Sequence, residues 1–331
     1  MDKPLQKILL LMFVLILPAL FSIPARAAET VKVGIYINDI QALDVESHSY
    51  KMDFYMWFKW KNPKIDPSTT IEFMNSYELW GHSHVKNYEK PKLLEGGEYY
   101  QIVRVQGGFS HKFDLRDYPF DNQKLLISFE DNEHESDEVV YVLDESSPIA
   151  MSPKIVFPGF ELREPKIAIE KIVHASGFGL PTPNNKSEYD RVVVEIPIHR
   201  PVFTYAVKLL LPILCVVFVA ALMFLFSPTY IESRVSIGIT AILTTVALQI
   251  TLADNLPDID YLVLIDKIYI VTYTYIVIGL FLVLKGSWHI EKERKTIAEI
   301  SRMDFKYLTV LTVTYFLICG VIILSRLLPL H

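Results

Sequence analysis

Cysteine is almost absent: Cys215 and Cys319 are the only two, both inside long apolar runs, so residues 28–200 have none. That excludes a disulfide framework, a thiolate metal site and a cysteine nucleophile from this stretch. No nucleophile stands beside a base, no metal-ligand set closes and no phosphate-cradling loop occurs, so the chain does not read as an enzyme. Basic charge is in deficit too, with 32 Lys and Arg against 38 Asp and Glu. An acidic face repels nucleic acid and gathers cations. Residues 28–200 also lack any apolar run long enough to cross a bilayer.

What is present lies mostly elsewhere. With 51% apolar residues and a mean hydropathy of +0.28, the chain is more apolar than a soluble domain of its size requires. Residues 1–27 place Lys3 and Lys7 before an apolar core and end on Ala25, Arg26 and Ala27. That order predicts a secretory signal peptide cut before Ala28, with an uncleaved anchor as the alternative. Four further runs, 202–226, 235–253, 261–284 and 307–328, reach the ~20 residues that a spanning helix needs. Lys285, Lys292, Arg294, Lys295, Arg302 and Lys306 crowd the third-to-fourth connection, whereas Asp254, Asp258 and Asp260 mark the second-to-third. Basic loops stay cytoplasmic. The expectation is a multi-pass protein of the cell inner membrane, with a periplasmic domain at 28–200 and a transmembrane domain at 201–331. The cytoplasmic connection, Gly286 to Asp304, is too short to hold a signalling domain.

Residues 28–200 read as β throughout. VKVGIYINDI, SYKMDFYMWFKWK and YDRVVVEIPIH are strand-length runs rich in β-branched and aromatic residues, and Pro, Gly and Asn clusters separate such runs. One sandwich domain is predicted. EDNEHESDE, residues 130–138, is an acidic run in which Glu130, Asp131 and Glu133 are candidates for a modulatory divalent cation, since oxygen-rich loops suit calcium. Its spacing matches no calcium motif, and a solvated loop is the preferred reading. No other cofactor is expected. His82 and His84 alternate along a strand but are too few for a metal site.

The second apolar run carries a stripe. Helical spacing puts Glu232, Ser236, Thr240, Leu243, Ala247, Ile250 and Asp254 on one face, so acid, hydroxyl, apolar residue and acid follow one another along it. Hydroxyls also hydrogen-bond across packed membrane helices. Acids at both ends are costly at membrane level unless they face water, which favours a pore lining. One helix cannot enclose a pore, so a symmetric oligomer is required.

KFDLRDYPFDNQKL, residues 112–125, resembles the signature loop of pentameric ligand-gated ion channels. Asp114, Leu115, Tyr118, Pro119, Phe120 and Asp121 match that loop's pattern, while His111 and Leu125 replace the paired cysteines of the animal receptors, as in the prokaryotic branch. Arg200, Pro212 and Pro257 are similar to the family's basic residue before the first helix, its first-helix proline and its second-to-third-loop proline. RVSIGITAILT resembles glycine and GABA receptor pores, but Glu232 stands where proton-gated cation channels carry an acid. The resemblance implies an extracellular immunoglobulin-like β-sandwich of about ten strands followed by a four-helix transmembrane bundle, assembled as a homopentamer in membrane lipid.

It also implies roles. Glu232, Ser236, Thr240 and Asp254 would select permeant monovalent cations, with Leu243, Ala247 and Ile250 forming an apolar gate that dewets. Asp44, Glu46, Tyr118, Pro119, Phe120, Asp121, Arg200 and Pro257 would couple the domains, and an Arg200–Asp121 pair fits both a switch and a structural brace. Which of Asp44 and Glu46 meets Arg200 is open. The agonist is a proton or hydroxide, or an amine held in an aromatic box drawn from Phe58, Trp60, Tyr77, Trp80, Phe129, Phe178 and Tyr189, each of which fits the core equally. The competing reading is a membrane-tethered periplasmic sensor or enzyme that conducts no ions.

Overall fold

The computed structural model describes residues 28–327 apart from 79–80, 180–182, 255 and 293. The expected signal peptide at 1–27 lies outside the described residues, as does Trp80. Alternating side chains build the sandwich: in β1 (Glu29–Asp44) Val31, Val33, Ile35 and Ile37 are fully buried, and in β2 (Ser49–Trp60) Met52, Phe54, Met56 and Phe58 are too. The further strands are β3 (Ile71–Phe73), β4 (Ser76–Tyr77), β5 (Ser83–Lys86), β6 (Lys92–Leu93), β7 (Tyr99–Ser110), β8 (Asn122–Asp131), β9 (Val139–Leu143), β10 (Ile149–Met151), β11 (Glu161–Leu162), β12 (Lys166–His174) and β13 (Ser187–His199). One sheet runs β10-β1-β2-β7-β4, with β9 on β1 and β5 and β6 on β7; the other runs β11-β13-β8-β3, with β12 on β13.

Register decides which loops meet the membrane domain. Asp44 pairs with Ser49 and Ser49 with Ser110 in the first sheet, while Asn122 pairs with His199 in the second. The turn 45–48, the loop 111–121 and Arg200 therefore gather at one end of the sandwich. From there the chain enters α1 (Val202–Ala221), whose interior holds Pro212 and which a 3-10 turn at Leu222–Phe224 extends. Then follow α2 (Ile231–Ala253), α3 (Leu264–Glu291) and α4 (Ile297–Leu327). All four are long and apolar enough to span a bilayer.

Two helices start before the apolar stretches that predicted them, and α3 runs past residue 284 to Glu291. α2 starts before residue 235 and so includes Glu232, and α4 starts at Ile297 instead of 307. Thr296 and Glu299 explain the second case: Glu299 Oε2 accepts from Thr296 N at 2.8 Å while Thr296 Oγ1 accepts from Glu299 N at 3.3 Å, a reciprocal cap. The connection from α3 to α4 is correspondingly shorter than Gly286 to Asp304. It runs from 292 to 296.

Inside the bundle α2 and α3 approach closely because Gly238 faces the Leu280 side chain, leaving no room for a Cβ. Polar bonds lock the rest, Thr272 Oγ1 lying 3.2 Å from Tyr315 Oη and Tyr275 Oη 3.3 Å from Thr312 Oγ1. Arg234 of α2 is wholly buried, donating from Nη2 to Asp304 Oδ2 of α4 at 2.7 Å and from Nε to the Met223 carbonyl at 2.5 Å. Removing one partner from such a pair costs ~3 to 5 kcal/mol, whereas replacing both with apolar residues is often neutral. Asp304→Asn should thus lower the melting temperature of the purified protein, and Arg234→Met with Asp304→Leu should restore most of it. An unchanged melt for the single variant would show that the pair does not hold the bundle.

Candidate pore face and domain junction

The stripe predicted on α2 lies on its unpacked side. Glu232, Ser236, Thr240, Leu243, Ala247, Ile250 and Asp254 are all exposed, whereas Arg234, Gly238, Ala241, Thr245 and Leu252 are buried against the chain's own bundle. Leu243 is 64% exposed and Ile250 56%. The hydroxyls differ in whether the helix backbone already engages them. Thr244, Thr245 and Thr251 donate to the carbonyls of Thr240, Ala241 and Ala247, while Ser236 and Thr240 have no side-chain hydrogen bond among the described residues. Oxygens left free in this way are available to water or an ion.

At the junction Arg200 is enclosed. Its Nε donates to Asp121 Oδ1 at 3.0 Å, both side chains being at most 5% exposed. Gln123 holds the other carboxylate oxygen of Asp121 at 2.7 Å and also donates to the Asp114 carbonyl at 2.6 Å. The guanidinium packs over the rings of Phe160, Tyr118 and Tyr205 at 4.6, 5.0 and 5.3 Å, favourable contacts between a cation and aromatic faces. Tyr118 precedes a cis Pro119. Neither Asp44 nor Glu46 pairs with Arg200 among the described residues. Asp44 Oδ1 instead accepts from the Glu46 and Ser47 amides at 3.0 and 3.3 Å, and Ser47 holds the Asp44 carboxyl below its ordinary pKa.

The signature loop rests on the connection between α2 and α3. Leu115 N donates to Tyr261 Oη at 3.0 Å, Leu264 N to the Arg116 carbonyl at 3.0 Å, and the Arg116 guanidinium stacks on the Tyr261 ring at 5.1 Å. Arg326, at the end of α4, lies 3.2 Å from Asp117. Pro257 and Phe120 are half-buried nearby in sequence to these contacts. Sequence reasoning named the loop but missed Gln123, Phe160, Tyr261 and Arg326. Tyr261 alone carried a signal, standing in the same turn as Pro257.

The loop's base contains histidines. Phe113 N donates to His48 Nδ1 at 3.0 Å, and the His48 and His111 rings both pack on Phe113. Burial, and then Lys112, push the His48 pKa down; burial, then Lys124, do the same at His111, against an opposing pull from Glu195.

The aromatic candidates separate by burial. Phe58, Trp60 and Phe129 are core residues closed to any ligand, a correction that follows from strand alternation. Tyr77 is half-buried on an edge strand. Phe178, 65% exposed at the tip of the β12–β13 hairpin, and Tyr189 flank the His174 ring at 5.4 and 5.7 Å. His174 Nε2 lies 3.1 Å from Glu130 Oε2, and Arg191 Nε donates to Glu130 Oε1 at 2.5 Å. Glu130 and Asp131 are buried rather than solvated. Asp131 accepts from Thr70 Oγ1 and from the Glu133 and His134 amides, so both acids already have partners. Among the described residues no group of three or more His, Cys, Asp or Glu is placed to hold a metal ion.

No family model matches the chain. A proton-gated ion channel of Gloeobacter violaceus is 22% identical over 247 residues, covering 70% of this chain and 66% of that protein. The glycine receptor β subunit of Homo sapiens is 22% identical over 255 residues, 70% of this chain and 49% of the receptor subunit. An acetylcholine-gated chloride channel subunit of Caenorhabditis elegans is 24% identical over 265 residues, 73% of this chain and 57% of that protein. The matched stretch thus spans about half to two thirds of the length of these relatives. With a β-sandwich followed by four membrane-spanning helices, and with these similarities, the chain is a homologue of the pentameric ligand-gated ion channels.

Proposed function

We propose that the chain is one subunit of a homopentameric ligand-gated cation channel in the cell inner membrane, its sandwich periplasmic and its pore lined by α2. The observation that carries this reading is the unpacked stripe from Glu232 to Asp254 on a helix whose opposite face its own bundle covers. Five copies turned toward one axis would cover that stripe and enclose water.

Relatives named as chloride channels mean that ion selectivity cannot be carried over from similarity. Charge supports the cation reading. Arg234 is turned into the bundle and paired with Asp304, which leaves Glu232 as the exposed charge in the first turn of α2. A ring of carboxylates concentrates cations and rejects anions. Leu243 and Ile250 supply the apolar constriction.

Protons are the stimulus that the junction favours. His48 Nδ1 accepts the Phe113 N–H only while unprotonated. Because the folded-state pKa values of His48 and His111 lie below the ordinary 6.5, their contacts persist above that value and are lost as pH falls through the lowered pKa. Acid therefore loosens the signature loop from the β1–β2 turn. The rival is an amine stacking at Phe178 and Tyr189, beside the carboxylate of Glu130.

Glu232→Gln should shift the reversal potential in a salt gradient toward zero; an unchanged potential removes Glu232 from selectivity. Asp121→Asn, which strands a buried guanidinium at a cost of ~3 to 5 kcal/mol, should abolish flux, with size-exclusion profiles telling lost assembly from silent assembled channels. Normal flux would contradict both roles. For the stimulus, purified channels are stepped from neutral to acid buffer without organic ligand. Wild type should respond below pH 6.5, and His48→Asn, whose amide oxygen still accepts but does not titrate, should lose most of that response. Flat wild-type currents alongside opening by a primary amine would move the sensor to Phe178 and Tyr189.

A further inference from the structure

A cleft of about 400 Å³ opens at the junction, between the β1–β2 turn at Val45, the first turns of α1 and the last turns of α2. Its volume is that of a small-ligand site. The polar groups on its wall are Tyr118, Arg200, Tyr205, Lys208 and Tyr269, besides Thr251, whose hydroxyl donates to the Ala247 carbonyl. No carboxylate lines it, and Asp121 beside Arg200 is occupied by Arg200 and Gln123.

Every one of those five side chains donates hydrogen bonds, and most of that capacity is unused. The hydroxyls of Tyr118, Tyr205 and Tyr269 have no partner among the described residues, although Tyr118 is 8% and Tyr269 4% exposed. Arg200 spends Nε on Asp121, while its enclosed Nη2 has no hydrogen-bond partner. Lys208 is exposed, six residues into α1, and makes no ion pair among the described residues. In the second turn of the helix its long stem lets the ammonium reach the interface, where the charge is open to an anion. With Asp121 balancing Arg200, the wall carries the single uncompensated charge of Lys208. Burial pushes the Tyr118 phenol above its ordinary pKa, so it stays a donor at any physiological pH.

Beneath these donors the floor is apolar, formed by Leu209, Pro212, Leu248 and Leu252. A cationic rim rich in donors, with Lys208 and Arg200 as groups that only donate, above a hydrocarbon floor favours an acceptor anion carrying an apolar part. An inorganic anion would leave the floor wet, and a two-chain lipid would leave its chains outside a space of this size.

We propose that this cleft binds a small amphipathic acid, a carboxylate on a short hydrocarbon tail, with Lys208 and the tyrosine hydroxyls on the carboxylate and the tail against Leu248 and Leu252. Such an occupant bridges Val45 and Tyr118 of the sandwich to the end of α2. Its regulatory meaning rests on the channel reading; its occupancy does not.

The test is therefore a binding experiment on the purified full-length protein. A diazirine-bearing hexanoate is photolysed with the protein in detergent, and the adducts are mapped by mass spectrometry. Labelling is expected on the α1 segment around Leu209 and the α2 segment around Leu248, competed by hexanoate but not by hexanol or hexylamine. Lys208→Gln should reduce it at least tenfold and Tyr269→Phe severalfold, while Lys208→Arg, with a wild-type melting temperature, should retain it. Labelling that survives Lys208→Gln, or that hexanol competes equally, overturns the proposal. So does competition by phosphatidylglycerol or inorganic phosphate where hexanoate fails, since the occupant would then be a lipid headgroup or a bare anion. Absence of label from both segments overturns it too, since the cleft would then be filled by a neighbouring subunit.

Discussion

A guanidinium held away from water governs this molecule. Arg200 sits where the last strand of the sandwich becomes the first membrane helix, and a buried cation there is tolerable only if carboxylate and aromatic faces replace its hydration. Asp121 comes from the signature loop, Phe160 from the segment before β11, and Tyr205 from the first turn of α1. The cation is fully housed only when the segments that carry these groups arrive together. The seam between the domains accordingly joins several segments at one point, and the polar contacts of Leu115 and Leu264 extend it to the α2–α3 connection and the start of α3.

α2 solves a second electrostatic problem by rotation. Glu232 and Arg234 are two residues apart, and a helix turns about 200° over that interval. Read along the sequence the two charges cancel. In space they face opposite ways, the arginine neutralised by Asp304 inside the bundle and the glutamate left on the open face. A helix can thus present one sign of charge to one side without carrying that net charge into the membrane.

The stripe on α2 was legible because a period of 3.6 and a change of chemistry along it leave few alternatives, and the strand-rich half was legible from alternation. Alternation also held an unused message: Phe58 and Trp60 share parity with Met52, Phe54 and Met56, so all five face the core. Helix ends were misplaced where hydropathy served as the ruler, although the Thr296-to-Glu299 cap was written in the sequence. The Arg234–Asp304 contact had no local trace, its partners lying 70 residues apart. Glu130 and Asp131 looked like surface charge because a run of acids ordinarily is; each is buried because Arg191 and His174, or Thr70 and two amides, take the place of water.

α4 leaves most of its surface uncovered by its own chain, with only 11% of its most apolar stretch buried. Such a helix tilts when the hydrocarbon layer around it thickens or thins. Its Asp304 is nevertheless fastened to Arg234 of α2, and its Arg326 end touches Asp117 of the signature loop. A tilt imposed by the bilayer therefore loads, at one end, the helix with the open stripe and, at the other, the loop that seats the sandwich. Bilayer thickness is in this sense a mechanical coordinate of the fold, and the resting posture of the bundle belongs jointly to the polypeptide and to the lipid it stands in.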